Sequence, residues 1–190
     1  MLIIVILNDK NKIKIMYTKL SVFDFDGTLI KSPEPTDKNK QMWADHYGKE
    51  EWPYIGWWGR GETLDMDVWD MSLIPDTIKA YREEMKNPNT MVIMLTGRLT
   101  KQGDLVRKIL DKYGLKFDKY LFKRGGNTIT DKLGQLNHIL GTNTSIKEVV
   151  MWDDRDAHIP KFEEWGNNLD GIDFTIHHVP GYLEEHDDIK

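Results

Sequence analysis

The segment Ser-Val-Phe-Asp-Phe-Asp-Gly-Thr-Leu-Ile, residues 21–30, constrains this chain most. A β-prone apolar run delivers two carboxylates, Asp24 and Asp26, and then breaks at Gly27. Side chains two apart on a strand point the same way, so Phe23 and Phe25 are expected to face packing while Asp24 and Asp26 look into one site. Carboxylates this close repel one another unless a cation or a shared proton relieves them. A hard divalent cation such as Mg2+, which takes a few carboxylate oxygens and keeps waters, would do so. One carboxylate is then free to attack and the other to move protons. Taken alone, the same residues also read as a strand-to-turn junction with solvated acids.

Five apolar runs read as strands: residues 20–25, 91–96, 119–122, 147–152 and 172–177. They are continuous rather than alternating, as strands buried on both faces should be. Helical patterns separate most of them. Residues 75–86 open on Pro75, a good first-turn residue. Residues 101–113 carry Leu105, Val106, Ile109, Leu110 and Tyr113 at helical spacing and stop at Gly114. Residues 131–140 precede Gly141, and residues 156–165 place Ile159, Phe162 and Trp165 on roughly one face. Strands alternating with helices predict an α/β fold, with a mostly parallel sheet of about five strands flanked by helices. Ligands of such sheets sit beyond the carboxyl ends of the strands.

The length suits one domain over residues 1–190, with a small insertion at 31–72. That insertion opens with a polar, proline-containing loop and holds Trp43, Trp52, Trp57, Trp58 and Trp69 without a strong period. A short helix with loops is expected there. The tryptophans read as a small satellite core; the sharper alternative makes Trp57 or Trp58 a platform for a base or ring, with Arg60 as a nearby cation. Residues 2–7 are apolar but too short to span a bilayer, and they lack the flanks of a signal peptide. They read as an extra or edge strand within a possible N-terminal extension, residues 1–15, with Met16 as an alternative start.

Net charge is −5, which argues against a generally basic nucleic-acid coat but leaves room for a local patch. The absence of cysteine excludes disulfides, a thiolate nucleophile and cysteine-ligated zinc, and fits a reducing, cytoplasmic setting. Nothing in the sequence points to a membrane or to a protein partner.

Three more features fall at predicted strand ends. Thr96, Gly97 and Arg98 supply a hydroxyl, a flexible backbone and a guanidinium, a set suited to phosphate oxygens. Asp153, Asp154 and Asp156 form a dense acidic ending, from which one carboxylate is expected to bind metal while Asp154 or Asp156 caps the next helix. Lys123, Arg124 and Lys132 follow the short third strand. A lysine there would neutralise charge on a nucleophile and a transferring phosphoryl group.

In this order, Asp-x-Asp-Gly-Thr, Thr-Gly-Arg, a lysine and Asp-Asp resemble the motif set of the haloacid dehalogenase (HAD) superfamily from about residue 20 to 178. The Gly-Trp-Trp-Gly, Leu-Thr-Gly-Arg and Trp-Asp-Asp-Arg-Asp-Ala-His stretches look like its Swiss Army Knife RNA repair group. The Asp-Asp-Arg ending is similar to the 3'-phosphatase domain of bacteriophage polynucleotide kinase. No kinase P-loop occurs.

The resemblance implies a Rossmann-like HAD fold and a phosphoaspartyl mechanism. Asp24 would be the nucleophile and Asp26 the acid and base. Thr96 would bind a phosphoryl oxygen, with Lys132, or failing it Lys123, as the screening lysine. Mg2+ would be held by Asp24, Asp26 through its carbonyl, and Asp153 or Asp154. Superfamily dehalogenases lack the second aspartate, so Asp26 favours phosphoryl transfer. Arg98 and Arg155 are candidates for substrate phosphate or for salt bridges within the site; Gly97 and Lys123 join them as substrate-binding candidates.

Between Thr-Gly-Arg and Lys132 there is room only for a helix, a strand and a turn. A poorly covered site suits a large substrate, and an RNA or DNA end bearing a 3'-phosphate leads. A small phosphomonoester such as a nucleotide follows, and a catalytically silent binding module remains the alternative of another class.

Overall fold

In the computed structural model, which describes residues 5–7 and 13–180, five parallel strands form the main sheet. In chain order they are β3 (Lys19–Phe23), β4 (Thr90–Leu99), β5 (Lys119–Lys123), β6 (Glu148–Asp153) and β7 (Asp173–His178). Their spatial order is β5-β4-β3-β6-β7. β3 is central: Lys19 lies opposite Thr90 on one side and Glu148 on the other. The α/β reading therefore holds, and each predicted run lies on its strand to within a few residues.

The side-chain alternation of the strands divides the core. Leu20, Val22, Ile93, Leu95, Val149 and Met151 pack on one face, with α4 (Thr128–Thr142) and α5 (Ile159–Asn167). Phe23, Met94, Val150 and Trp152 pack on the other, with α2 (Pro75–Glu84) and α3 (Gly103–Lys112). Phe23 and Trp152 stack in neighbouring strands at 4.4 Å between ring centroids. On the opposite face, Gly166 of α5 lies so near Phe174 that an added Cβ would sit 1.9 Å from its ring, so a side chain there would push the helix off the sheet.

Two helices depart most from their expected bounds. α4 begins three residues early, because Asn127 accepts the Thr130 N–H through its side chain, and it runs on through Gly141. Neither Asp154 nor Asp156 caps α5. The chain leaving β6 first makes a turn, in which the Asp153 carboxylate accepts the Arg155 N–H and His158 N–H reaches the Arg155 carbonyl. The helix starts only at Ile159, where Pro160 fills the first turn.

Residues 31–72 contain α1 (Asp37–His46), capped by Thr36, and a short 3-10 helix over Gly61–Leu64. The tryptophans are not a satellite core. Trp43, Trp57 and Trp69 are buried in one continuous cluster with Phe23 and Phe25, because the insertion folds down onto the α2 face of the sheet. Trp57 donates to the Pro33 carbonyl and Trp69 to the Glu62 carbonyl. At the start of the chain, residues 2–4 lie outside the described residues; β1 (Val5–Leu7) pairs antiparallel with β2 (Ile13–Ile15) in a separate two-stranded sheet, not at an edge of the main one. Among the described residues no helix is long and apolar enough to cross a membrane.

Candidate active site

The site forms where β3, β4 and β6 end. β3 stops at Phe23, but the Asp24 N–H still reaches the Trp152 carbonyl at 3.0 Å, so β6 holds the first aspartate in place. Phe25 is fully buried, and the chain then turns back, with the Leu29 and Ile30 N–H groups donating to the Phe25 carbonyl. Asp24 and Asp26 both line one cleft of about 320 Å3, although no strand carries the alternation past Phe23. Gly27 makes the turn possible at φ +65°, and a Cβ there would lie 2.1 Å from Asp154 Oδ2. Only glycine lets the Asp154 carboxylate lie against this loop.

Lys132 rises from the second turn of α4 and is 1% exposed. Its Nζ sits 3.1 Å from Asp24 Oδ2 and 2.7 Å from Asp153 Oδ2. Asp24 Oδ1 accepts the Phe25 N–H at 2.8 Å. Lys132, and not Lys123, therefore touches the nucleophile candidate; Lys123 lines the cleft mouth.

Burial pushes Asp24 well above the usual carboxylate range; Lys132 opposes this, while Asp153, Asp154 and Asp26 add to it. Burial also pulls on the Lys132 ammonium, but Asp24 and Asp153 outweigh it and hold its proton more tightly than usual. Asp154 is pushed up to about 6 by burial and then by Asp153.

Asp24, Asp153 and Asp154 each offer an oxygen, all within 4.8 Å of one another. One lysine faces three carboxylates, so the group still lacks positive charge. Hard oxygen donors crowded in this way fit Mg2+. Both Asp153 and Asp154 belong to this set.

Arg98 is 1% exposed at the end of β4, where the pairing with β5 shifts register between Leu95 and Leu99. Its Nε and Nη2 hold Asp26 Oδ2 and Oδ1 at 2.8 and 2.7 Å. Nη1 donates to Thr63 Oγ1 at 2.6 Å and to the Trp58 carbonyl at 2.9 Å. Of its two expected roles, the structure gives Arg98 the salt bridge within the site, tying Asp26 to the insertion. Thr96 is fully buried, its Oγ1 accepting the Arg98 N–H at 3.1 Å, while Gly97 and Arg98 form the adjoining cleft wall. Arg155 is exposed at the rim, and Asp156 turns away to His178.

Sequence reasoning missed His158. It lines the cleft, 8% exposed, with Nδ1 3.9 Å from Asp153 Oδ1 and no hydrogen-bond partner for that nitrogen among the described residues. Burial lowers it to about 4, against the pull of Asp153, so its imidazole is neutral at pH 7. The only signal was its place five residues after Asp153.

A parallel sheet whose central strand feeds paired aspartates into a lysine- and arginine-held cleft defines a HAD-type α/β domain. Residues 32–187 match the family described as HAD domain family 1 in Swiss Army Knife RNA repair proteins, and the chain belongs to that family. The match starts just past the Asp24–Gly27 loop.

An uncharacterized protein of Saccharomyces cerevisiae is 26% identical over 175 residues, which cover 80% of this chain and 38% of that protein. The chain thus spans well under half of that relative's length. Among solved structures, a chain of the Pnkp1/Rnl/Hen1 RNA repair complex superposes with TM-score 0.54 at 14% identity, covering 88% of this chain and 44% of that one. A second structure of the Pnkp1/Rnl/Hen1 complex gives 0.52 at 14%, covering 87% and 48%. At such identities the likeness is one of fold.

Proposed function

We propose that this protein is a Mg2+-dependent phosphomonoester hydrolase that works through an aspartyl phosphate and removes 3'-phosphates from polynucleotide ends. One observation carries the chemistry: Asp24 lies in the cleft against the Lys132 ammonium, with Asp26 held alongside by Arg98. The family and the RNA repair complexes that share the fold support the substrate class.

In the first step an Asp24 carboxylate oxygen bonds to phosphorus as the ester P–O bond breaks. The leaving oxygen takes a proton from Asp26. In the second step water attacks the acyl phosphate, Asp26 accepts its proton, and phosphate leaves as Asp24 is regenerated. The Arg98 fork occupies one lone pair on each Asp26 oxygen and leaves the others for the travelling proton. Lys132 screens the Asp24 charge that burial disfavours. Asp24, Asp153, Asp154 and the Asp26 carbonyl would hold Mg2+, which neutralises charge on the phosphoryl oxygens. Gly97, Lys123 and Arg155 at the cleft wall and rim would meet the phosphate oxygens. Thr96 would support them from behind.

Phosphate release is to be measured from a 3'-phosphorylated oligonucleotide, a 5'-phosphorylated one and a mononucleotide, with Mg2+ or EDTA. Release that needs Mg2+ and favours the 3'-end is expected. Equal or better release from the mononucleotide would make the protein a small-molecule phosphatase. No release from any, together with no thermal shift from vanadate plus Mg2+, would leave a binding module.

A further inference from the structure

The insertion holds five tryptophans, and they are not equivalent. Trp57 and Trp69 are 5% and 4% exposed, with their indole N–H groups spent on backbone carbonyls. Trp52 donates to the Gly56 carbonyl, and Trp43 is 5% exposed. Trp58 is half-buried, and of the five it alone lines the cleft with Asp24 and Asp26. Yet its backbone is tightly fixed: the Trp58 carbonyl accepts from Arg98 Nη1 at 2.9 Å and from Gln102 Nε2 at 3.2 Å. The Arg98 guanidinium also lies 5.1 Å from the Trp58 ring centroid. A residue whose backbone is fixed and whose half-buried ring packs on Arg98 while lining the cleft is placed for more than packing.

Its location indicates what. Trp58 lines the cleft that holds Asp24 and Asp26, and it also ends a neighbouring groove of about 630 Å3 that contains Trp52, Tyr54, Trp57 and Lys40. Trp58 is therefore the aromatic residue that the cleft and the groove share. A phosphoryl group seated at Asp24 brings whatever it is esterified to into the cleft that Trp58 lines. In a nucleotide, the base follows across a single sugar. Flat π-faces of this kind stack on any base without reading its identity. We infer that Trp58 is the stacking platform for the base of the nucleotide whose phosphate enters the cleft. This rests on the phosphatase reading and specifies its leaving group as a nucleoside.

The test is isothermal titration in an Asp24→Asn background that prevents turnover, comparing a nucleoside 3'-monophosphate, inorganic phosphate and phosphotyrosine. Trp58→Ala is expected to lower the ratio of nucleotide to phosphate affinity about tenfold, and Trp58→Phe to keep most of it. The ratio cancels any loss that Trp58 causes through Arg98, since phosphate would suffer that equally. An unmoved ratio would overturn the proposal, as would a wild-type cleft that binds nucleotide no better than phosphate. Phosphotyrosine binding tighter than the nucleotide would overturn the nucleoside assignment. A protein that releases no phosphate but keeps the Trp58-dependent ratio would sink the phosphatase reading and leave the platform standing.

Discussion

At each end of the same two strands a lysine sits between carboxylates. Where β3 and β6 begin, Lys19 lies 3.0 Å from both Glu84 and Glu148. Where they end, Lys132 bridges Asp24 and Asp153. The charges are alike and the surroundings are not. The Lys19 and Glu148 side chains are 19% and 49% exposed; those of Lys132 and Asp153 are 2% and 0%. Water can hold each charge of the first group separately. In the second, burial makes the ions depend on one another and makes Asp24 resist ionisation. One end of the sheet leaves its charges to water, and the other confines them in the cleft.

The largest expected effect strikes only the buried end. Asp24→Asn should cut phosphate release by about 10^4-fold or more, since no other side chain occupies its position. The same change should raise the melting temperature of the metal-free protein, because a neutral amide replaces a carboxyl that burial disfavours. A lower melting temperature would show that Asp24 stabilises the fold and would break the contrast.

Next comes the lysine pair. Lys132→Met should cost about 3–5 kcal/mol at pH 7, because it strands buried carboxylates without their cation. Lys19→Met should cost about 1 kcal/mol or less, as for a pair in contact with solvent. Urea unfolding of both variants measures the difference, and equal costs would erase it.

The smallest effect is a pair of opposed pH slopes. Asp154 moves from 3.8 to about 6, so its contribution to stability is full below about 3.8 and is lost as pH rises toward 6. His158 moves from 6.5 to about 4, so its contribution is full above about 6.5 and is lost as pH falls toward 4. In the metal-free protein the two slopes oppose one another. Because Asp24 is raised as well, Asp154→Asn should turn the slope toward rising with pH and His158→Gln should make it fall more steeply, each relative to the unaltered protein. Thermal melts from pH 4 to 7 read both signs, and two variants with the same slope would refute the assignment.

The sheet was legible because its strands are unbroken apolar runs that need both faces covered. Lys132 could be placed only by its order among the motifs, since a lone lysine in a helix is ordinarily solvated. Trp57 and Trp58 are neighbours in sequence, and no local pattern says that one is locked in the core while the other faces the cleft. The supposed cap at Asp154 or Asp156 failed because Asp153 spends its carboxylate on the turn that delays α5. His158 carries no periodic signal at all. Arg98 reads from the sequence as a partner for phosphate or for a salt bridge within the site, but its reach to Thr63 and Trp58 depends on how the insertion folds back.

β3 is the first strand of the main sheet in sequence and the middle one in space. A ribosome delivers it long before either neighbour, so its ladder groups and Phe23 must wait for β4 and then for β6. The Asp24 loop waits longest, because its backbone anchor is Trp152 and the lysine's second partner is Asp153. Contacts this distant in sequence form slowly, and an incomplete chain leaves a sheet edge open to wrong pairing. Such a chain lacks its finished cleft until nearly all of the described sheet has been synthesised, so partial products carry an open edge that needs shielding.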